Sequence, residues 1–401
     1  MMKMQIIGTG AAGNKAVIEL IKSQLLDEQY TRYALINSTD FDIPAEYRNI
    51  STIFGKGNAG GCGKERDLGK DLFLEDEKNG ARALDNIVDT NMDMTIVVGS
   101  TEGGTGSATV PIISKYITQV LHMPCIAILF FGFNSDARGM QNSIEVCQEL
   151  SDDIGVISIC NSKFMREAND NNLKAEKLAN DHFCKVVRAL SGRDIHESYQ
   201  NIDANDLRKV VLTPGYMSVE IIPFRAKSRV QYDEEIYLGM AETKSMDSPN
   251  PSAKRIATIY DIKPAADYVD YSGGVIKEHY GIPYELFTHV QTVNTNEKVT
   301  IIVSGQKMPT DEVKEIYDEY LKTSAKVDKQ TDNFFDEINS LKGNATDSMF
   351  NMLGNKNNKP SQKDRDAFFS SFGKKDPNPS EKKKEANGPQ VKNVRDVRKD
   401  Y

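Results

Sequence analysis

The 401-residue chain is 39% hydrophobic and carries a formal net charge of −8; it is long enough for two domains, and no apolar run nears the roughly 18 residues of a membrane helix, which excludes a membrane-spanning class. The charge is uneven, because residues 343–401 hold 13 Lys and Arg against 8 Asp and Glu while residues 1–342 hold 37 against 50, so an acidic body carries a basic tail suited to an acidic partner or polymer. Cys62, Cys125, Cys147, Cys160 and Cys184 lack disulfide or zinc spacing, and "MMKMQIIG" enters a strand without a targeting segment, which predicts reduced thiols and a cytoplasmic protein.

Over the first 165 residues, short β-rich runs alternate with amphipathic stretches, the pattern of a parallel α/β sheet. Strands are predicted at 4–7, 33–36, 95–99, 125–131 and 155–160, and helices at 14–26, 69–89 and 108–121. A longer pattern at 173–190 places Leu178, Phe183, Val186, Val187 and Leu190 on one stripe, a core helix joining two domains. Strands at 216–224, 255–262, 287–293 and 298–303 then form a smaller α+β domain without phosphate-type turns. Thr310 caps a charged helix reaching about Leu341, with Asp311 and Glu312 suited to its dipole. Beyond Gly343 the chain is too polar to bury a core, which predicts disorder. The expected division is 1–171, a nucleotide domain; 172–200, core helix and linker; 201–308, second domain; 309–342, C-terminal helix; 343–401, basic tail.

Glycine-rich turns punctuate the first sheet. "GTGAAGN" (8–14) follows the first strand, "GKGNAGGCG" (55–63) lies beyond the second, and "TEGGTGSA" (101–108) follows the next. Glycine lets backbone approach a phosphate, and helix N-termini offer unpaired N–H groups. A dinucleotide site wants an acid at the tip of the second strand, where Asn37 stands. A P-loop wants glycine where Asn58 stands and Ser or Thr where Glu65 stands. Three converging N–H-rich loops instead suit a di- or triphosphate, with Thr105 and Ser107 adding hydroxyls.

At these residues the chain resembles the tubulin/FtsZ superfamily of polymerising GTPases, whose signature is a GGGTG[ST]G loop after the fourth strand. "EGGTGSA" matches its five central positions, with Glu102 and Ala108 replacing the flanking glycines; Glu102 is expected to point away from phosphates. The resemblance covers about 300 residues and implies a tubulin/FtsZ-like α/β fold binding GTP or GDP with Mg2+. It implies contacts from Gly10, Ala11, Ala12 and Asn14 of the first loop, Asn14 to the base. Asn37 of "NSTD" stands in the second loop, Gly60 and Gly61 in the third, and Gly103, Gly104, Thr105, Gly106 and Ser107 in the signature loop. In "FGFNSDAR", Asn134 occupies the place of a ribose-binding glutamate and Arg138 matches an arginine. Asn161 of "ISICNSK" and either Asn180 or Asp181 of "AND" occupy guanine-contacting positions.

"NIDAND" (201–206) fits the family's N-x-D-x-x-D loop with Asn201, Asp203 and Asp206. Carboxylates three residues apart share one face of a nascent helix and can orient a water for in-line attack on a γ-phosphate. Capping of the helix that follows is the alternative role for these aspartates. Beside their own subunit's phosphates two such charges would repel; the resemblance implies that they serve the next subunit's GTP in a head-to-tail filament.

"GCGKER" (61–66), "LTPGYMS" (212–218) and the charged helix after Thr310 resemble the TubZ type, which segregates plasmid or phage DNA, more than the FtsZ division type, whose "D-[IV]-P-x-F" end peptide is absent. The resemblance implies that residues 382–401 engage a DNA-binding adaptor on centromere-like repeats, with direct DNA contact as an alternative. A division-ring protein, or a scaffold that binds GTP with little hydrolysis, are the other readings.

Overall fold

A computed structural model describes residues 2–55, 60–150, 153–196, 202–247, 253–264, 266–294 and 296–341. Asn201, residues 56–59 of the third loop and the tail at 343–401 lie outside these.

Runs such as "MTIVVGS" and "CIAILFF" are apolar almost throughout, as strands buried on both faces must be. In chain order the elements are β1 (Met4–Thr9), α1 (Gly10–Ser23), β2 (Thr31–Asn37), β3 (Ser51–Ile53), α2 (Arg66–Glu75), α3 (Leu84–Ile87), β4 (Met94–Ser100), α4 (Gly104–Lys115), β5 (Cys125–Phe131), α5 (Ala137–Glu149), β6 (Gly155–Cys160) and α6 (Asn172–Ser191). There follow α7 (Ala204–Val211), β7 (Gly215–Pro223), α8 (Arg229–Ala241), β8 (Arg255–Ile262), α9 (Gly274–Tyr280), β9 (Glu285–Thr292), β10 (Lys298–Gln306) and α10 (Thr310–Leu341).

Among the described residues the strands form one sheet in the order β3-β2-β1-β4-β5-β6-β7-β10-β8-β9. From β3 to β7 every pairing is parallel; β10 runs antiparallel to both β7 and β8. The β6–β7 seam consists of only Gly155↔Gly215 and Val156↔Tyr216. Before it, Ile6, Val98, Ile128 and Ile159 pack with Phe183, Val187 and Leu190 of α6. Beyond it, Tyr232, Ile256, Tyr260 and Val299 build a second cluster. Local chemistry bounds α6 sharply: the Asn171 carboxamide accepts the Lys174 N–H, and Gly192 ends the helix at φ +69°.

Three helices differ from the sequence-based expectation; that expected at 108–121 starts at Gly104 and ends at Lys115, with a wider turn over Tyr116–Val120. The helix expected at 69–89 stops at Glu75, because the Asp76 carboxylate accepts the N–H groups of Lys78 and Asn79 on one oxygen and that of Gly55 on the other. Gly80 then passes so close to Phe73 that a Cβ there would lie 2.1 Å from its carbonyl oxygen. The first helix starts at Gly10 rather than Asn14, since the glycine turn is itself the first helical turn.

Candidate functional site

Strands β1, β2 and β4 end side by side, and the three glycine-rich segments meet beyond those ends. They enclose a cavity of about 330 Å³ lined by Thr9, Gly10, Ala11, Ala12, Asn37, Gly60, Gly61, Gly103, Gly104, Thr105 and Gly106, all but Thr9 expected from the sequence. Ser38, Thr39, Asp42, Cys62, Gly63 and Ser100 complete the wall; Ser38, Thr39, Cys62 and Gly63 belong to the second and third loops expected from the sequence, while Asp42 and Ser100 carry no sequence signal. Helices α1 and α4 both begin at this cavity, so two positive dipole ends converge on it.

Hydrogen bonds lock the loops together. The Gly104 N–H donates to Gly63 O at 2.8 Å, and the hydroxyls of Ser38 and Thr105 meet at 2.8 Å. A Cβ on Gly104 would lie 2.8 Å from Gly63 O and 2.9 Å from Cys62 O, so only glycine lets the third loop sit on the helix start. The N–H groups of Thr105 and Gly106 belong to the first turn of α4, which has no intrahelical partners to offer them.

Ser107 requires a correction. Its hydroxyl donates back to Gly103 O instead of facing the cavity, so it contributes no hydroxyl there. Pro111, lacking an N–H, leaves the Ser107 carbonyl without its helical donor, and the Arg66 Nε–H fills that place at 3.2 Å. Arg66 is buried and also binds Glu145 and Glu149. Burial pushes the Glu149 carboxyl up, but Arg66 and Lys70 outweigh it and hold it below the usual range.

Glu102 turns away from the cavity, as expected. Its carboxylate crosses Gly132, where a Cβ would lie 2.1 Å from Oε2, and accepts the Asn134 N–H at 2.9 Å. Asn134 is thereby held at φ +50°. Burial pushes the Glu102 carboxyl up. Asn142 donates to the carbonyls of Lys64 and Glu102, joining the third loop and the signature loop to α5.

Asn14, Asn134, Arg138, Asn161, Asn180 and Asp181 do not line this cavity. Arg138 donates to Lys64 O, Asp181 is exposed, and Asn180 is half-buried on α6, which packs against both α1 and the Asn161–Phe164 turn. The asparagines nevertheless share one property. Buried polar atoms almost always find partners, yet Asn14 Oδ1, Asn37 Nδ2, Asn134 Oδ1 and Asn161 Oδ1 are buried without one, four of seven such atoms among the described residues.

Asp203 caps α7, its Oδ1 accepting the Asp206 N–H at 2.8 Å. Asp206 lies 3.6 Å from Lys209. Both aspartates line an open depression with Asn205, Arg208, Lys209, Leu212 and Arg255. Arg208 pairs at 2.7 Å with Asp93, which directly precedes β4. The glycine cavity lies at the other end of that strand, whose seven residues span on the order of 20 Å. The structure therefore separates the acid pair from the cavity within one chain.

The Tubulin/FtsZ family, GTPase domain, matches residues 3–169. Cell division protein FtsZ of Methanothermobacter thermautotrophicus is 24% identical over 220 residues, 53% of this chain and 55% of that protein. Tubulin-like protein CetZ4 of Haloferax volcanii is 25% identical over 268 residues, 63% of this chain and 66% of that one. The matches thus span between about half and two thirds of these curated relatives. Among solved structures, a GTPγS-form protofilament of Bacillus thuringiensis serovar israelensis TubZ superposes with TM-score 0.68 at 15% identity, covering 83% of this chain and 94% of that one. Clostridium botulinum phage c-st TubZ, tail-truncated, gives 0.65 at 16% identity, covering 81% and 98%. The tubulin/FtsZ fold expected from the sequence is the fold found.

Proposed function

We propose that the chain binds GTP across the glycine cavity, assembles head to tail with copies of itself, and hydrolyses the nucleotide where Asp203 and Asp206 of one copy meet the cavity of the next. The observation that carries this is the convergence of the glycine loops and the N-termini of α1 and α4 on one cavity; four orphaned amide atoms, on Asn14, Asn37, Asn134 and Asn161, add to it. Three are acceptors in want of donors, which guanine N–H groups and ribose hydroxyls supply; the fourth is a donor in want of an acceptor. Thr105 and Gly106 N–H groups and two helix dipoles suit the phosphates. Arg138 is assigned to the nucleotide, and Asn180 or Asp181 to the guanine edge.

The strand-long separation of the acid pair from the cavity supports catalysis between copies. Asp203 keeps Oδ2 outside its cap bond, and with Asp206 it would orient a water toward the γ-phosphate; Asn201 is assigned to the same loop. Mg2+ would neutralise phosphate charge, and Asp42, the one carboxylate on the cavity wall among the described residues, suits an ion held chiefly by the phosphates. A contact between unlike faces propagates without closing, giving filaments. Phosphate release should rise cooperatively above a critical protein concentration; a rate linear from zero rules out catalysis between copies.

The biological task proposed is DNA segregation in the cytoplasm, with residues 382–401 binding a DNA-binding adaptor. The TubZ-type segments and the TubZ neighbours support it. FtsZ relatives keep a division-ring polymer as a second reading. Removing residues 354–401 should spare polymerisation and abolish co-sedimentation with adaptor and DNA; unchanged co-sedimentation excludes the tail.

A further inference from the structure

The acid loop rests on a buried polar network that the hydrolytic reading leaves unused. His289 and Gln291 lie two apart on β9, so both face the same side of the sheet, and both are buried. Gln291 donates from Nε2 to Asp194 O at 2.8 Å and to Asp261 Oδ1, groups that only accept. Its oxygen therefore faces the other way, where it accepts the His196 N–H at 2.9 Å and lies 3.0 Å from His289 Nε2. With an acceptor fixed at that position, the neutral imidazole must carry its proton on Nε2 and keep a lone pair on Nδ1. That lone pair meets the Ile202 N–H at 3.3 Å. Ile202 is buried and directly precedes Asp203. At the far end of the network, Asp194 pairs through three contacts with Arg188 of α6.

We infer that His289 is the positioning residue of the acid loop: its tautomer, set by Gln291 and Asp261, pins the Ile202 peptide, fixes the position from which Asp203 is presented and ties it to the end of α6. This rests on the reading of Asp203 and Asp206 as the hydrolytic pair. His289 touches no nucleotide and acts only through the loop.

Two substitutions separate its two nitrogens. His289→Asn keeps an acceptor at the δ position for the Ile202 N–H; His289→Gln keeps a group at the ε position and leaves that N–H without a partner. In the full chain, His289→Gln should lower phosphate release per assembled subunit about tenfold, the effect of one lost buried hydrogen bond, with GTP affinity and polymer mass unchanged. His289→Asn should stay within about threefold of the parent. Gln291→Met, which frees the tautomer without touching the ring, should reduce turnover severalfold and serves if His289→Gln fails to fold. The proposal is overturned if His289→Gln or Gln291→Met turns over normally, if Asn falls as far as Gln, or if GTP affinity falls in step with turnover. Asp206→Asn provides the separate control: persistent hydrolysis in that variant refutes the acid-pair reading itself, whatever His289 does.

Discussion

Single side chains in this protein hold two tasks at once. Asp203 caps α7 with one oxygen, the role any capping residue could fill; in the proposed hydrolysis its charge would also face the next copy's nucleotide. Asparagine caps helices about as well as aspartate, so Asp203→Asn should change stability by less than about 0.5 kcal/mol in denaturant titration. Its phosphate release should nevertheless fall about a hundredfold; parallel loss of both would reduce Asp203 to a cap. Glu102 fixes Asn134 in a left-handed conformation through one N–H bond. Glu102→Ala removes that acceptor and should weaken GTP binding about tenfold, a cost of about 1.4 kcal/mol, while Glu102→Gln retains a carbonyl and should bind normally. Equal affinity in all three proteins would show the strut to be idle.

Elements are joined here by polar groups that the helices and strands themselves leave over. Pro111 frees the Ser107 carbonyl, and Arg66 uses it to clamp α2 onto α4 beside Glu145 and Glu149. Arg66→Ala would leave the Ser107 carbonyl without its donor and take one partner from each of two half-buried carboxylates, and a loss of roughly 1–2 kcal/mol in unfolding free energy is expected; a neutral effect would mean that water replaces the guanidinium. On β7, burial pushes the Glu220 carboxyl up to about 7 against the pull of its Thr243 hydrogen bond. The folded chain then holds this proton more tightly than the unfolded chain. The stabilisation is complete below the ordinary value of 4.5 and is lost as pH rises through about 7. Urea midpoints should therefore fall from acid to alkaline pH across that window, and Glu220→Gln should flatten the fall. A slope unchanged by the substitution assigns it to other groups.

At the scale of the whole molecule, the decisive feature is the distance between the glycine cavity and the acid pair. The cavity stands at the C-terminal ends of β1, β2 and β4, and the acid pair is tied through Arg208 and Asp93 to the opposite end of β4. No side chain spans a strand's length, so the proposed hydrolysis needs two copies. Gly104→Ala should disable the nucleotide face by pushing the third loop off α4, and Asp206→Asn should disable the acid face. Each variant alone should release little phosphate, and a mixture should regain activity as intact faces pair. A mixture as inactive as its parts would exclude complementation between copies.

Among the described residues the sequence alone located every strand but the short β3, and the loops that line the cavity, because buried parallel strands read as apolar runs and close phosphate-type turns demand glycine. It also marked the asparagines, but only the tertiary structure showed their shared orphaned amides, since burial and partnering depend on segments far apart in the chain. Glu102 looked misplaced beside a phosphate loop until its carboxylate was found across Gly132. The break at Asp76, the turned-back Ser107 hydroxyl and the His289–Gln291 network were likewise illegible. Each depends on which carbonyl or N–H a distant element leaves unpaired, and no local pattern encodes that. Chemistry confined to one segment was settled by residue order; the separation of the cavity from the acid pair was settled by the sheet, whose strands hold them at opposite ends.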